Sequence, residues 1–178
     1  LTADDSVLSV LPFHYSFGNS LLLTHVRRGG RVVIDNRFAF PLQVLATLED
    51  ERCTGFSGVP SHYAILCTRT DFLSRPHVHL RYVTQAGGAM PVDLTRRLRE
   101  SLPARIAVHI MYGQTEASPR MTTLASEIFA EKPDSVGRAM PGARIEIVDD
   151  DGAALPSGAI GQVVYYGPNV MYGYATTR

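Results

Sequence analysis

The chain has 178 residues, enough for one domain with a substantial core, and its 45% hydrophobic content is ordinary for a soluble protein. Its 17 Lys and Arg balance 17 Asp and Glu, which argues against a general binder of nucleic acid or anionic membrane surfaces. No stretch approaches the roughly 18 apolar residues of a membrane span. Cys53 and Cys67 lack metal-ligand spacing and are too few for a disulfide framework, so they read as buried reduced thiols of a cytoplasmic protein.

The opening LTADDSVLSV carries neither an initiator Met nor a basic leader. Apolar or β-branched runs then predict strands over 6–13, 31–34, 55–60, 81–87 and 105–113. Segments of helical spacing over about 18–28, 41–52, 60–69 and 91–101 alternate with them. The alternation predicts an α/β fold, a mostly parallel sheet flanked by helices. Pro41 and Pro91 suit the first position of a helix, and Ser61 can cap the third. Asp93 and Glu100 among Arg96, Arg97 and Arg99 read as a solvated face of the fourth helix.

Residues 127–142 read as a linking loop, and from about 140 the pattern changes to period 2. ARIEIVD alternates, DDDG and LPSG supply turn chemistry, and GQVVYYG returns, which predicts a β-hairpin with an elaborated connection. Asp149, Asp150 and Asp151 read as a turn, because the other ligands and the terminal Glu of a calcium loop are missing. The expected division is therefore an α/β nucleotide- and acyl-binding subdomain over 1–126, then a linker and β-rich segment, part of a β-barrel subdomain, over 127–178. The closing MYGYATTR is as abrupt as the start, so both ends are expected to be cuts through a longer chain.

Ligands of open α/β sheets sit beyond the carboxyl ends of strands, and two loops with chemistry fall there. In QAGGAMP, Gly87 and Gly88 let a flat ring or a phosphate approach the backbone, and their amides can form an anion-binding concavity. A plain tight turn is the alternative. In MYGQTEASPRM, Tyr112 offers a face for stacking, Gly113 permits close approach and Thr115 supplies a hydroxyl for a phosphate oxygen. Glu116 is a hard oxygen ligand of the kind Mg²⁺ takes beside waters and substrate phosphates. The same residues also describe a capped strand-to-loop junction with an exposed Glu.

LPFHYSFG (11–18), AGGAMP (86–91), YGQTE (112–116), SVGRAMPG (135–142) and GQVVYYGPNVMYGY (161–174) follow one another in this order. Over nearly its whole length the chain thereby resembles part of the large domain of the adenylate-forming superfamily. That superfamily includes acyl-CoA synthetases, acyl-AMP and aryl-CoA ligases and the adenylation domains of nonribosomal peptide synthetases. The resemblance implies a two-step ligase in which ATP and Mg²⁺ activate a carboxylic acid as an acyl-adenylate. The acyl group then passes to the thiol of coenzyme A or of the phosphopantetheine of an acyl carrier protein.

Carried over by position, Tyr112 stacks on adenine, with Gly87, Gly88 and Ala89 on the other side and Gly113 and Gln114 beside it. Thr115 meets the α-phosphate and Glu116 holds the metal, which makes these two the expected catalytic pair. His14, Tyr15, Val59 and Met90 are expected around the acid. Amino-acid-activating relatives carry an Asp after a Phe in the acyl-pocket segment, but here His14 follows Phe13 and Gly18 follows Phe17. A buried ammonium without a carboxylate is costly, so a fatty, aryl or other non-amino acid is expected.

Gln162 departs from the family's usual Glu. The family's Lys-bearing pyrophosphate loop, its ribose-binding Asp and its small C-terminal domain do not occur in these residues. The resemblance thus implies a slice that is inactive alone and completed by N- and C-terminal parts of a parent ligase. The alternatives are an adenylation domain of a peptide synthetase and a non-catalytic adenine-nucleotide-binding or scaffold domain.

Overall fold

Side-chain alternation along short parallel strands builds the core. The structure, a computed structural model, describes residues 1–129 and 131–176. Ala130, inside the expected linker, and Thr177 and Arg178, at the close of the expected tail, lie outside the described residues. Strands β1 (Ser6–Ser9), β2 (Arg31–Ile34), β3 (Gly55–Gly58), β4 (Tyr82–Gln85) and β5 (Ala107–Tyr112) run parallel in the order β2-β1-β3-β4-β5. Helices α1 (Ser16–Arg27), α2 (Pro41–Asp50), α3 (Pro60–Arg69) and α4 (Val92–Ser101) connect or follow them. The expected alternation and the mostly parallel sheet are therefore present.

The register aligns Leu8, Phe56, Val83 and Val108 across β1, β3, β4 and β5 on one face. Helices α2, α3 and α4 cover that face with Val44, Leu45, Leu48, Tyr63, Leu66 and Leu98, forming the main core. The opposite face starts apolar at Val7, where Leu11 and the α1 residues Phe17 and Leu21 pack. It then turns polar, because Ser9, Ser57, Thr84 and His109 align across the same strands.

Pro41 opens α2 at its first position as expected. Pro60 already does so for α3, with Val59 in the capping position, so Ser61 falls inside the first turn and does not cap. Pro91 is the residue before α4 rather than its first. On α4, Arg96 pairs with Asp93 in solvent, but Arg97 donates to the Cys67 carbonyl at 3.3 Å and Arg99 to that of Ser126 at 2.8 Å. Two of the arginines read as solvated thus tie the helix to its neighbours. Both cysteines are free and buried, and burial pushes each thiol up to about 11.

Two further strands were not legible in advance. β6 (Thr122–Leu124) runs antiparallel to β5, and β7 (Arg138–Ala139), inside the expected linker, pairs with β6. Runs of three and two residues are too short to show a period. The predicted hairpin is present as a separate sheet of β8 (Arg144–Val148) and β9 (Gln162–Tyr166). Asp149 Oδ1 accepts the amides of Asp151 and Ala153 at 3.0 and 2.8 Å, which makes the acidic run a turn as expected. Gln162 donates its side-chain amide to Asp150 at 3.1 Å, a contact that a Glu at this position could not make.

Leu66 is fully buried and Leu23, on α1, is 59% exposed. Leu66→Ala is expected to cost about 2–5 kcal/mol of unfolding free energy, and Leu23→Ala less than about 0.5 kcal/mol. Urea denaturation followed by circular dichroism measures both; equal effects would refute the packing described.

Candidate active site

Parallel pairing sends the carboxyl ends of β4 and β5 to one edge of the sheet, so the loops after Gln85 and Tyr112 leave side by side. Between them lies a crevice of about 530 Å³, lined by Gly87, Gly88, Ala89, Met90, Tyr112 and Gly113. Gln85 and Ile110 line its strand side, Thr95 of α4 contributes, and Pro133, Asp134, Ser135 and Val136 complete the lining. Thr122 donates to the Val136 carbonyl at 2.5 Å and Ser135 Oγ accepts the Gly137 amide at 3.0 Å, which fixes the 133–136 loop there.

The Gly87 turn has a left-handed backbone, φ +83°, which glycine adopts at little cost. Gln85 is 1% exposed and donates its amide to the Gly88 carbonyl at 2.8 Å. Its Oε1 is buried without a protein partner. An orphaned buried acceptor is unfavourable by about 1–3 kcal/mol, and an amino group entering the crevice would relieve it. Tyr112 is 38% exposed, a ring face open to a flat partner. These features fit an adenine base.

At Gly113 the constraint belongs to the fold itself. A Cβ there would sit 1.7 Å from the Pro119 carbonyl oxygen, because the chain doubles back and Met121 donates to Tyr112 O at 2.9 Å. Close approach is needed as expected, but it is the loop's own backbone that approaches.

Gln114, Thr115 and Glu116 lie beside the crevice rather than in its lining. Thr115 and Glu116 form a 3₁₀ turn, and Thr115 Oγ1 is 3.2 Å from Ser16 Oγ at the start of α1. Glu116 accepts from the Tyr174 hydroxyl at 2.5 Å, and its carbonyl accepts the Met171 amide at 2.8 Å. The Tyr174 bond holds the Glu116 carboxyl below its usual range, and the same bond raises the Tyr174 hydroxyl. An ionised single carboxylate suits Mg²⁺, which binds through one or two carboxylates with waters and substrate phosphates. Among the described residues no group of three or more His, Cys, Asp or Glu could hold a metal by itself.

The four residues expected around the acid are dispersed. Met90 lines the crevice. Val59 lies beneath the Gly87 turn, its Cγ1 3.1 Å from where a Gly87 Cβ would be. His14 and Tyr15 are exposed, their rings 4.4 Å apart, in the turn that leads to Ser16 and so to Thr115. Sequence reasoning missed Gln85 and the 133–136 wall. SVGRAMPG was visible as a motif, but its chemistry depends on β6 and β7, which bring it back to the crevice.

A family profile described as AMP-binding enzyme matches residues 1–175. Feruloyl-CoA synthase of Amycolatopsis sp is 32% identical over 175 residues, 98% of this chain and 35% of that protein. Indoleacetate–CoA ligase of Aromatoleum aromaticum is 33% identical over 176 residues, 98% of this chain and 34% of that protein. O-succinylbenzoate coenzyme A synthetase of Bacillus subtilis, solved in complex with ATP and magnesium ion, superimposes with a TM-score of 0.87 at 30% identity. That match covers 99% of this chain and 36% of that one. The chain spans about a third of the length of these relatives.

A hydrogen bond donated to a carboxylate favours its charged form. Tyr174→Phe is therefore expected to raise the Glu116 titration midpoint toward the ordinary carboxylate range, read by ¹³C NMR of the labelled side chain. An unmoved midpoint would show that the contact does not form in solution.

Proposed function

The chain belongs to the AMP-binding enzyme family, and from that premise we propose that it is the acid-activating core of an AMP-forming acid–thiol ligase. The observation that carries this reading is the shared crevice, where the Gly87–Met90 turn meets Tyr112 beside the unpaired Gln85 acceptor. Adenine lies there between Tyr112 and the Gly87–Ala89 backbone, its amino group toward Gln85. A carboxylate oxygen of the acid attacks the α-phosphorus of ATP, the bond to the β-phosphate bridge breaks, and pyrophosphate leaves. The acyl-adenylate then gives its acyl group to a thiol sulfur and releases AMP.

Such a transfer needs alignment and charge neutralisation more than covalent help from the protein. Thr115 donates to an α-phosphate oxygen from its place beside Ser16, and Glu116 is the residue that would hold Mg²⁺. The ion, when bound, neutralises phosphate charge. Gln114 and Gly113 position that loop, while His14, Tyr15, Val59 and Met90 border the path of the acid. The names feruloyl-CoA synthase and indoleacetate–CoA ligase support a non-amino acid and coenzyme A as acceptor. Residues from 127 onward, with the β8–β9 sheet, begin a second subdomain in this reading. A cytoplasmic site of action is part of the same proposal; no helix among the described residues is long and apolar enough to cross a membrane.

In the natural full-length protein, acid-dependent ATP–pyrophosphate exchange is expected. Glu116→Ala should lower it by about 100-fold or more, the scale of lost charge stabilisation at a transition state. Tyr112→Ala should raise KM for ATP about tenfold, the scale of one lost stacking contact. Exchange undiminished by Glu116→Ala would remove the metal role, and the absence of exchange with any acid would refute the ligase reading.

A further inference from the structure

The polar face of the sheet holds a second cavity, of about 280 Å³, between α1 and strands β3 to β6. Parallel sheets packed on both faces usually present apolar residues on each. Here Ser57, Tyr82, Thr84, His109 and Thr123 face the cavity instead. Most of these groups satisfy one another. Ser57 Oγ and Thr84 Oγ1 are 2.7 Å apart. His25 Nδ1 lies 2.8 Å from the Leu21 carbonyl, which can only accept, so Nδ1 carries the proton and Nε2 accepts from the Tyr82 hydroxyl at 2.8 Å. Tyr82 reaches across β3 only because Gly55 is beneath it, where a Cβ would fall 2.1 Å from the ring.

Arg120 is the exception. It lines the same cavity, and among the described residues its guanidinium has neither an ion-pair nor a hydrogen-bond partner. Burial pulls its pKa down, and its charge is felt at His25, Tyr82 and His109. Burial likewise lowers the pKa of His25 and His109, so among the lining side chains the fixed positive charge is that of Arg120; Asp5 and Glu127, which act on His25 and His109, do not line the cavity. Arg120 is half-buried, and a partly desolvated guanidinium with no carboxylate in contact favours an anion beside it. The cavity neighbours the nucleotide crevice along β5: Met111 lines both, and His109 is three residues from Tyr112. At a rise of about 3.3 Å per residue that is a span of roughly 10 Å.

We propose that this cavity takes the far end of the acid and that Arg120 pairs there with a second carboxylate, making the substrate a dicarboxylic acid. The inference rests on the ligase reading and narrows its substrate class. A carboxylate could also come from a side chain of the same protein outside these residues, and the experiment separates the two sources.

In the natural full-length protein, exchange kinetics are measured with hexanoate and octanoate against hexanedioate and octanedioate. Binding of octanedioate is followed independently by titration calorimetry. The better diacid is expected to exceed its matched monoacid about 100-fold in kcat/KM, the scale of one desolvated charge pair. Arg120→Gln should abolish that preference through KM and remove octanedioate binding. Arg120→Lys, which keeps the charge but loses the planar fork, should recover part of both.

Exchange with monoacids at least as good as with diacids would overturn the proposal and leave the ligase reading standing. So would an Arg120→Gln protein with unchanged substrate ranking and a lowered melting temperature, which would assign the counter-charge to the polypeptide. Exchange with no acid in the panel would overturn the ligase reading and the inference together.

Discussion

The pairing of β4 with β5, Tyr82 opposite Ala107 through Gln85 opposite Ile110, is the constraint on which the rest of the structure depends. Parallel strands share a direction, so the last residues of both emerge at one edge, and whatever follows them must share that space. Gln85 ends β4 with its amide folded onto the Gly88 carbonyl, and Tyr112 ends β5 with its ring half open. A slip of one residue would turn Gln85 to the other face of the sheet and bury Thr84 in the apolar core instead. Both the crevice and the unpaired acceptor inside it would vanish.

The same alternation explains why the two faces differ in what they can do. Leu8, Phe56, Val83 and Val108 need only be covered, and α2, α3 and α4 cover them. The residues between them include Ser57, Thr84 and His109, side chains that gain nothing from simple burial. They are accommodated by pairing with each other and by surrounding a cavity rather than a solid contact. A sheet that devotes one face to stability and the other to polar recognition keeps the second free to vary without loss of the core. In the proposed ligase, substrate choice would therefore rest on the polar part of that second face.

Much of this architecture was legible in the sequence because it rests on local chemistry. Apolar or β-branched runs marked the five parallel strands, Pro41 marked the start of α2, and the alternation of ARIEIVD marked β8. What was not legible depends on partners distant in the chain. β6 and β7 are strands only because β5 pairs with β6 and β6 with β7, and three or two residues carry no period. Tyr112 and the Gly87–Met90 turn were identified and do line one crevice. His14 and Tyr15 lie at the surface beside Ser16, an exposure that spacing alone does not reveal, because it fixes the neighbourhood of a side chain but not its direction. Arg120 belongs to the same short stretch as Tyr112, yet its place beside the second cavity is not legible there. Nothing local reveals that an Arg next to Pro119 turns toward β4 and β5.

The loop from Gly113 to Arg120 serves both cavities, and the segment after β9 holds it. Asn169 donates its amide to the carbonyls of Ala117 and Arg120, at 2.5 and 3.0 Å, while Tyr165 donates to the Asn169 oxygen at 2.8 Å. Two residues further on, the Met171 amide reaches the Glu116 carbonyl. An asparagine fits here because one side chain must both accept and donate, which an Asp or a Leu of similar size could not do. The backbone of Glu116, proposed for the metal, and that of Arg120, proposed for the second carboxylate, are thus fixed by one strap from the smaller sheet. Any movement of β8 and β9 against the larger sheet would act on both residues together, linking the phosphate end of the site to the far end of the acid.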